Sequence, residues 1–198
     1  MTARPVVEEQ QETRRKQLMR ATLQEVSEKG FAAVTLDDIA ARAGVSKGVA
    51  LYYFKSKEEL FVAAFQRLLS ILWERRKTVL QQPGNALEKL KALMDTIFVS
   101  ARENRDFYRA YLDILSLGTR HEAFRQLNER FFENCCRVMD PQILEEGVRQ
   151  GLFRPDADPA VIRALFDGMM LQWLFDEPAT FEDYRRRYEE ALMRYLRP

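Results

Sequence analysis

The sequence predicts an all-α protein of about nine helices, and three observations carry that prediction. Gly and Pro are sparse, 8 and 7 in 198 residues, and several of them fall where an apolar periodic stretch ends. Within those stretches apolar residues recur three and four positions apart, and no run of alternating β-branched residues marks a strand. Helix start signals precede several stretches: Thr35 and Ser46 are good N-caps, Ser56 and Glu59 form a Ser-x-x-Glu box, and Asp158-Pro159 joins an N-cap type to a first-turn proline.

The first helix is expected from near Glu9 to Lys29, with Leu18, Ala21, Thr22 and Val26 on one face, after a disordered start around Arg4 and Pro5. Residues 35–57 read as two short helices joined by a tight turn. The first opens at Thr35, buries Leu36, Ile39, Ala40 and Ala43, and ends at Gly44, which tolerates the left-handed conformation such a stop needs. Ser46 caps the second. A fourth helix begins near Ser56 and carries Leu60, Ala64, Leu68, Ile71 and Leu72 on its apolar face to about Leu80, where Gln82-Pro83-Gly84-Asn85 stops it. Further helices are expected over 86–102, 105–117 and 122–138. Asp140-Pro141 then interrupts the pattern, so residues 142–150 are a separate helix or the kinked continuation of the one before. Gly151 and Pro155 end that stretch, and the last two helices run from Asp158-Pro159 to Phe175 and from Thr180 to Leu196.

The pair at 35–57 has the connection length of a helix-turn-helix, whose second helix can enter the DNA major groove while the first crosses the backbone. Lys47, Lys55 and Lys57 are the only charges between Gly44 and Lys57, a local +3 in a chain of net charge +1. Gly48, Val49 and Ala50 are small enough for close approach to phosphates or base edges. Tyr52 and Tyr53 can donate to phosphate oxygens, as can the amides of Ser46, Lys47 and Gly48. The same residues also suit a helical hairpin inside an all-α core, with Tyr52, Tyr53 and Phe54 as packing residues.

Over about residues 12–65 the chain resembles the DNA-binding signature of TetR-family transcriptional regulators: Gly30 and Phe31 after a long first helix, Thr35, Ile39 through Gly48, Tyr52 to Phe54, and Lys55 to Leu60. The family usually has Tyr where this chain has Leu51, so one contact differs and Tyr52 supplies part of it. The DNA-contacting set implied is Thr35, Ser46, Lys47, Gly48, Val49, Leu51, Tyr52, Tyr53 and Lys57, with Lys57 and Tyr53 on phosphate and Lys47, Val49 and Tyr52 toward bases. The resemblance divides the chain into a DNA-binding domain, 1–55, and a C-terminal domain for ligand binding and dimerisation, 56–198.

A chain with 46% apolar residues can build a substantial core. The sequence has neither an apolar stretch of about 18 residues nor a charged start followed by an apolar core, so no membrane partner is expected and the location expected is cytoplasmic. An enzyme would need a nucleophile with a base, a phosphate loop or metal-spaced ligands. The single histidine, His121, sits at a polar helix start beside Glu122, and the adjacent Cys135 and Cys136 point about 100° apart on a helix. No catalytic residue, metal or cofactor is expected, with a thiol redox or metal sensor as the alternative for the cysteines.

In the helix of 159–175, Ala160, Ala164 and Gly168 form a shallow stripe; in the last helix Tyr184, Tyr188, Leu192 and Tyr195 share one side. One helix-turn-helix reads few base pairs, so a homodimer on palindromic double-stranded operator DNA is expected, with Ala164, Gly168, Tyr188, Leu192 and Tyr195 at its interface. In TetR-like proteins the last two helices form a four-helix bundle with those of the partner. Packing within one subunit is the alternative for these residues.

Between the reader and this stripe lie Trp73, Phe98, Phe107, Tyr108, Tyr111, Phe124, Phe131, Met169 and Trp173, with Arg102 and Asn128 as polar groups. The set fills a core or lines a pocket equally well. The resemblance implies a small effector here that releases DNA. A lipophilic compound fits the aromatic residues, and Arg102, Arg105 and Arg109 beside them suit an acyl thioester of coenzyme A. A filled core would leave an effector-independent DNA-binding protein.

Overall fold

The computed structural model describes residues 3–133, 140–176 and 180–198. Among them the chain is all-helical without a strand: α1 (Ala3–Lys29), α2 (Leu36–Arg42), α3 (Lys47–Tyr53), α4 (Lys57–Leu80), α5 (Ala86–Ile97), α6 (Ala101–Gly118), α7 (Glu122–Glu133), α8 (Asp140–Arg149), α9 (Pro159–Phe175) and α10 (Phe181–Leu196). The fold class is as expected. Cys135, Cys136 and the expected end of the seventh helix at Val138 lie outside the described residues. Helix α8 starts at the Asp140-Pro141 restart.

Two boundaries differ from the sequence reading. Helix α1 begins at Ala3, because Pro5 falls in the first turn, where its missing N–H has no intrahelical role. The expected fifth helix stops at Ile97 and α6 starts at Ala101. Asn104 makes that break: its amide donates to Ile97 O at 2.9 Å, and its Oδ1 accepts from Val99 N at 3.2 Å. A buried side chain thereby satisfies both sides of a helix end.

The chain divides into two compact units, one of residues 1–70 with 109–127, the other of 71–108 with 128–198. This division differs from a single cut after residue 55, since α4, α6 and α7 each give residues to both units. In the first unit Phe31 stacks on Phe61 with centroids 5.0 Å apart and meets Phe124 edge-on at 5.6 Å, while Phe65 stacks on Tyr111. The buried face of α4 supplies Leu60, Phe61, Ala64 and Phe65 to that core.

In the second unit an aromatic series runs from Trp73 through Phe131, Phe107, Tyr108 and Phe166 to Phe98, Tyr188 and Phe181. Helices α5 and α8 are clamped by Lys89, whose ammonium lies 2.9 Å from Glu146, and by Gln150, whose Oε1 accepts from Ala86 N at 2.8 Å.

Gly147 sets how closely α8 meets the chain that follows it, because a Cβ there would lie 1.9 Å from the ring of buried Phe153. Gly147→Ala is expected to overpack this contact and destabilise the protein by about 1–3 kcal/mol, read as a lowered thermal midpoint. An unchanged midpoint would mean that Phe153 yields without loss.

Candidate functional site

Short-range chemistry fixes the helix-turn-helix. Thr35 caps α2 with its side-chain oxygen accepting from Asp38 N at 3.2 Å, and Asp38 returns by accepting from Thr35 N at 2.8 Å. Helix α2 ends at Gly44 with φ of 66°; Val45 N donates to Ala40 O and Gly44 N to Ala41 O, the paired bonds of a Schellman stop. Ser46 then caps α3 by accepting from Val49 N at 3.3 Å.

These caps orient α3. Ala50 and Phe54 are buried beneath it, whereas Val49 (37%), Leu51 (42%) and Tyr52 (75%) are exposed. Large apolar and aromatic side chains so exposed on a short helix present a surface suited to methyl groups, base edges and sugar. Lys47 and Gly48 are exposed too, with Lys47 2.7 Å from Asp37 in an exposed pair that is weak in water. Tyr53 is half-buried, and its carbonyl accepts from Arg15 at 3.1 Å.

Lys57 is placed otherwise than expected. Its ammonium donates to Phe31 O and Val34 O, each at 2.8 Å, and lies 4.3 Å from the centroid of the Phe31 ring. The side chain staples the α1–α2 connection to the start of α4, so its assignment to a phosphate is replaced by a structural one. Charge at a helix start led the sequence reading to phosphate, and the distant carbonyls were invisible to it. Asp113 on α6 completes the anchor by accepting from Phe31 N at 2.7 Å. The box expected at Ser56 is also modified: Ser56 caps Glu59 N at 3.1 Å, but Glu59 accepts from Lys55 N at 2.8 Å.

Two further groups went unnoticed. Arg15 on α1 bonds the end of α3 and stacks 4.4 Å from the Phe54 centroid, and Arg14 and Gln17 line a polar hollow beside Tyr53. The Arg14-Arg15-Lys16 run was the available signal. An ionic cluster also joins α1 to α2: Arg42 bonds Glu25 and Glu28, and Lys29 lies 2.7 Å from Glu25 and 3.0 Å from Asp38. Bonds from Lys29 and then Arg42 hold the Glu25 carboxyl below its ordinary value. Thr35 first, and Lys29 after it, bring Asp38 down to about 2.

In the second unit a cavity of about 50 Å³ is walled by aliphatic residues of α5, α8 and α9, by Phe166, Tyr188 and Leu192, and by Arg76 and Arg163. None of the expected effector residues lines it. Phe98, Tyr108, Phe131 and Trp173 are buried in the aromatic series, Trp73 and Phe107 join it half-buried, and Met169 and Asn128 are half-buried. Arg102 is exposed. Tyr111 and Phe124 belong to the first unit's core. Periodicity found the buried faces, but it does not distinguish a ring touching space from one touching another ring.

Tyr188 and Leu192 correct the dimer expectation: both are buried within this chain and line the cavity. Tyr195 is half-buried, and its hydroxyl accepts from Asp158 N at 2.8 Å. Ala164 is exposed, and a Cβ on half-buried Gly168 would meet nothing within 4 Å. They share an outward face with Val161 (44% exposed) and Phe175 (81%).

A helix-turn-helix whose second helix presents exposed side chains, within an all-helical chain, is the build of a DNA-binding transcriptional regulator. Residues 18–64 match the bacterial regulatory proteins of the tetR family, and residues 86–197 match the C-terminal domain of BetI-type transcriptional repressors. The chain belongs to the TetR family, whose members are transcriptional regulators and not enzymes. It is 28% identical over 172 residues to the regulator BetI 1 of Chromohalobacter salexigens, covering 82% of this chain and 79% of that protein. It is 30% identical over 154 residues to the repressor KstR2 of Mycolicibacterium smegmatis, 78% of this chain and 74% of the other.

A TetR regulator from Haloarcula marismortui superposes with a TM-score of 0.78 at 25% identity, over 90% of this chain and 96% of that one. A regulator from Saccharomonospora viridis in complex with choline does so with 0.77 at 22% identity, over 89% and 93%. Among the described residues no helix is long and apolar enough to cross a membrane.

Lys57→Met should lower the thermal midpoint, by about 1–3 kcal/mol of stability, because it strips two carbonyls of a charged donor. The slope of log affinity against log salt for random duplex DNA should change by far less than the roughly 0.9 that one phosphate contact contributes. A full unit of slope lost, with stability intact, would return Lys57 to the phosphate set. Asp38 has a depressed carboxyl in the folded state, so between about pH 4 and pH 2 the unfolded chain binds more protons. Its contribution is present above pH 4 and lost as pH falls toward 2. Asp38→Asn should therefore be less stable than the wild type at pH 7, with the gap closing near pH 2 in thermal melts followed by helical circular dichroism; a gap independent of pH would refute the assignment.

Proposed function

We propose that this chain is a ligand-responsive transcriptional repressor that binds a palindromic operator as a homodimer and releases it when a small effector occupies the second unit. The outward presentation of Val49, Leu51 and Tyr52 above buried Ala50 and Phe54 carries the DNA-reading part. Thr35 and Ser46 hold the two helices at their caps, Lys47 faces the bases with Val49 and Tyr52, Tyr53 faces phosphate at the margin, and Gly48 permits close approach. In this reading residues 1–55 remain the functional DNA-binding segment, with the start of α4 bracing it, and the protein acts in the cytoplasm with its DNA.

The dimer part rests on α9, whose exposed Val161, Ala164 and Phe175, with half-buried Gly168 between them, make an apolar outward stripe. The effector part rests on the cavity. At about 50 Å³ it holds roughly four water-sized spheres, so a small molecule suits it better than an acyl thioester of coenzyme A. The BetI-type match supports repression, and the choline-bound neighbour supports ligand control at this level. A second reading, an effector-independent regulator, draws on the packing of Phe98 and Tyr108 on Phe166, of Phe131 on Phe107 and of Trp173 on Phe181; thermal stabilisation by a small ligand separates the two.

Selection of bound duplexes from a random library should enrich two inverted half-sites, and Tyr52→Ala should flatten that preference more than it weakens binding to random DNA. Absence of an enriched palindrome for the wild type would sink the operator reading. Gly168→Leu enters open space in one subunit, so it should leave helicity and melting of the monomer intact while shifting sedimentation from dimer to monomer. A dimer of undiminished stability would move the interface off α9.

A further inference from the structure

Helix α3 carries few groups that can read a base by hydrogen bonding. From Lys47 to Tyr53 it has no Arg, Asn or Gln. Its exposed hydrogen-bonding side chains are Lys47, engaged by Asp37 at 2.7 Å, and Tyr52, whose ring meets that of half-buried Tyr53 with centroids 5.1 Å apart. The rest of the outward face is apolar. At 100° per residue, exposed Val49 and Leu51 flank Gly48 and Tyr52 on opposite sides.

Gly48 is small for no reason internal to the chain. A Cβ there would meet only Ser46 Oγ, at 3.8 Å, and its φ is not in the left-handed region, so the fold would accept a larger residue. Glycine also weakens a helix relative to alanine. A missing side chain on the outward face lets the helix axis come closer to a surface outside the chain, and so brings Val49 and Leu51 against it.

In the major groove the 5-methyl group of thymine is the one apolar feature by which base-pair edges differ. We propose that Val49 and Leu51 are specificity-determining residues that read thymine methyl groups, so that each half-site bound by this chain carries thymine beneath them. This rests on α3 as the DNA reader and names what it reads. Covering a methyl with an aliphatic side chain discriminates without a directional bond, by about fourfold per methyl.

The test uses the full-length protein and the palindromic duplex that it enriches from a random library. Each thymine of the half-site is replaced in turn by deoxyuridine, which removes the methyl and keeps the hydrogen-bonding edge. At the thymines beneath Val49 and Leu51 the wild type is expected to lose affinity about fourfold, and roughly fifteenfold when both half-sites are substituted. Leu51→Ala and Val49→Ala should each erase the loss at one thymine and leave it at the other. Gly48→Leu should weaken binding to the duplex without lowering the melting midpoint; a lowered midpoint, or binding equal to the wild type, overturns the close approach on which the methyl contacts depend. An enriched palindrome whose deoxyuridine forms all bind as well as the thymine form overturns the methyl reading and leaves α3 as the reader. A loss that survives both alanine variants overturns the assignment to Val49 and Leu51. No enriched palindrome overturns the thymine reading together with the reading of α3.

Discussion

The anchoring of Phe31 is the constraint on which the first unit depends. Gly30, at φ of 78°, ends α1 and turns the chain back, which leaves the Phe31 amide and carbonyl without helical partners. Each is claimed by a different helix: the amide by Asp113 of α6, the carbonyl by Lys57 of α4. The ring packs on Phe61 of α4 and Phe124 of α7. A half-buried backbone group left unpaired costs as much as several ordinary contacts supply, so these bonds specify where the α1–α2 connection sits. The helix-turn-helix hangs from that connection, and its own caps act only after the connection is placed.

Helices α4 and α6 bear these anchors and continue beyond the first unit. Under the proposed function Arg76 of α4 touches the ligand, while Tyr108 of α6 bonds the partner of Arg163. Under that reading the two helices that fix Phe31 also reach the residues of the cavity wall, α4 by Arg76 and α6 through the Tyr108 bond to Asp167. A ligand shifts such an arrangement only by binding one state more tightly than the other.

Elements defined by local chemistry were legible in the sequence. Thr35, Gly44 and Ser46 each act within five residues of themselves, and the structure has every one in the expected conformation. The position of the break between α5 and α6 was illegible, since it depends on a buried Asn104 reaching Ile97 across the gap instead of facing solvent. Lys57 was misread for a related reason: a lysine at a helix start looks the same whether its ammonium meets phosphate or the carbonyls of residues 31 and 34. The side of α10 bearing Tyr188 and Leu192 was expected against a partner subunit and is buried within this chain, because amphipathic spacing marks an apolar face and leaves the covering surface unspecified.

The same limit applies to ligand class. A BetI-type domain is recognised by the pattern of its helical core, and that pattern is met by any residues of suitable volume. Ligand chemistry depends instead on the few polar groups that reach the cavity wall. In this chain those groups are two guanidiniums and a phenol among aliphatic side chains. An Arg at either position alters the core pattern very little, because its methylenes pack like those of an aliphatic residue while its head reaches the space. A core of unchanged pattern can thus accept a ligand of different chemistry after one or two substitutions, and fold-level similarity to a choline-bound regulator does not by itself name the ligand of this chain.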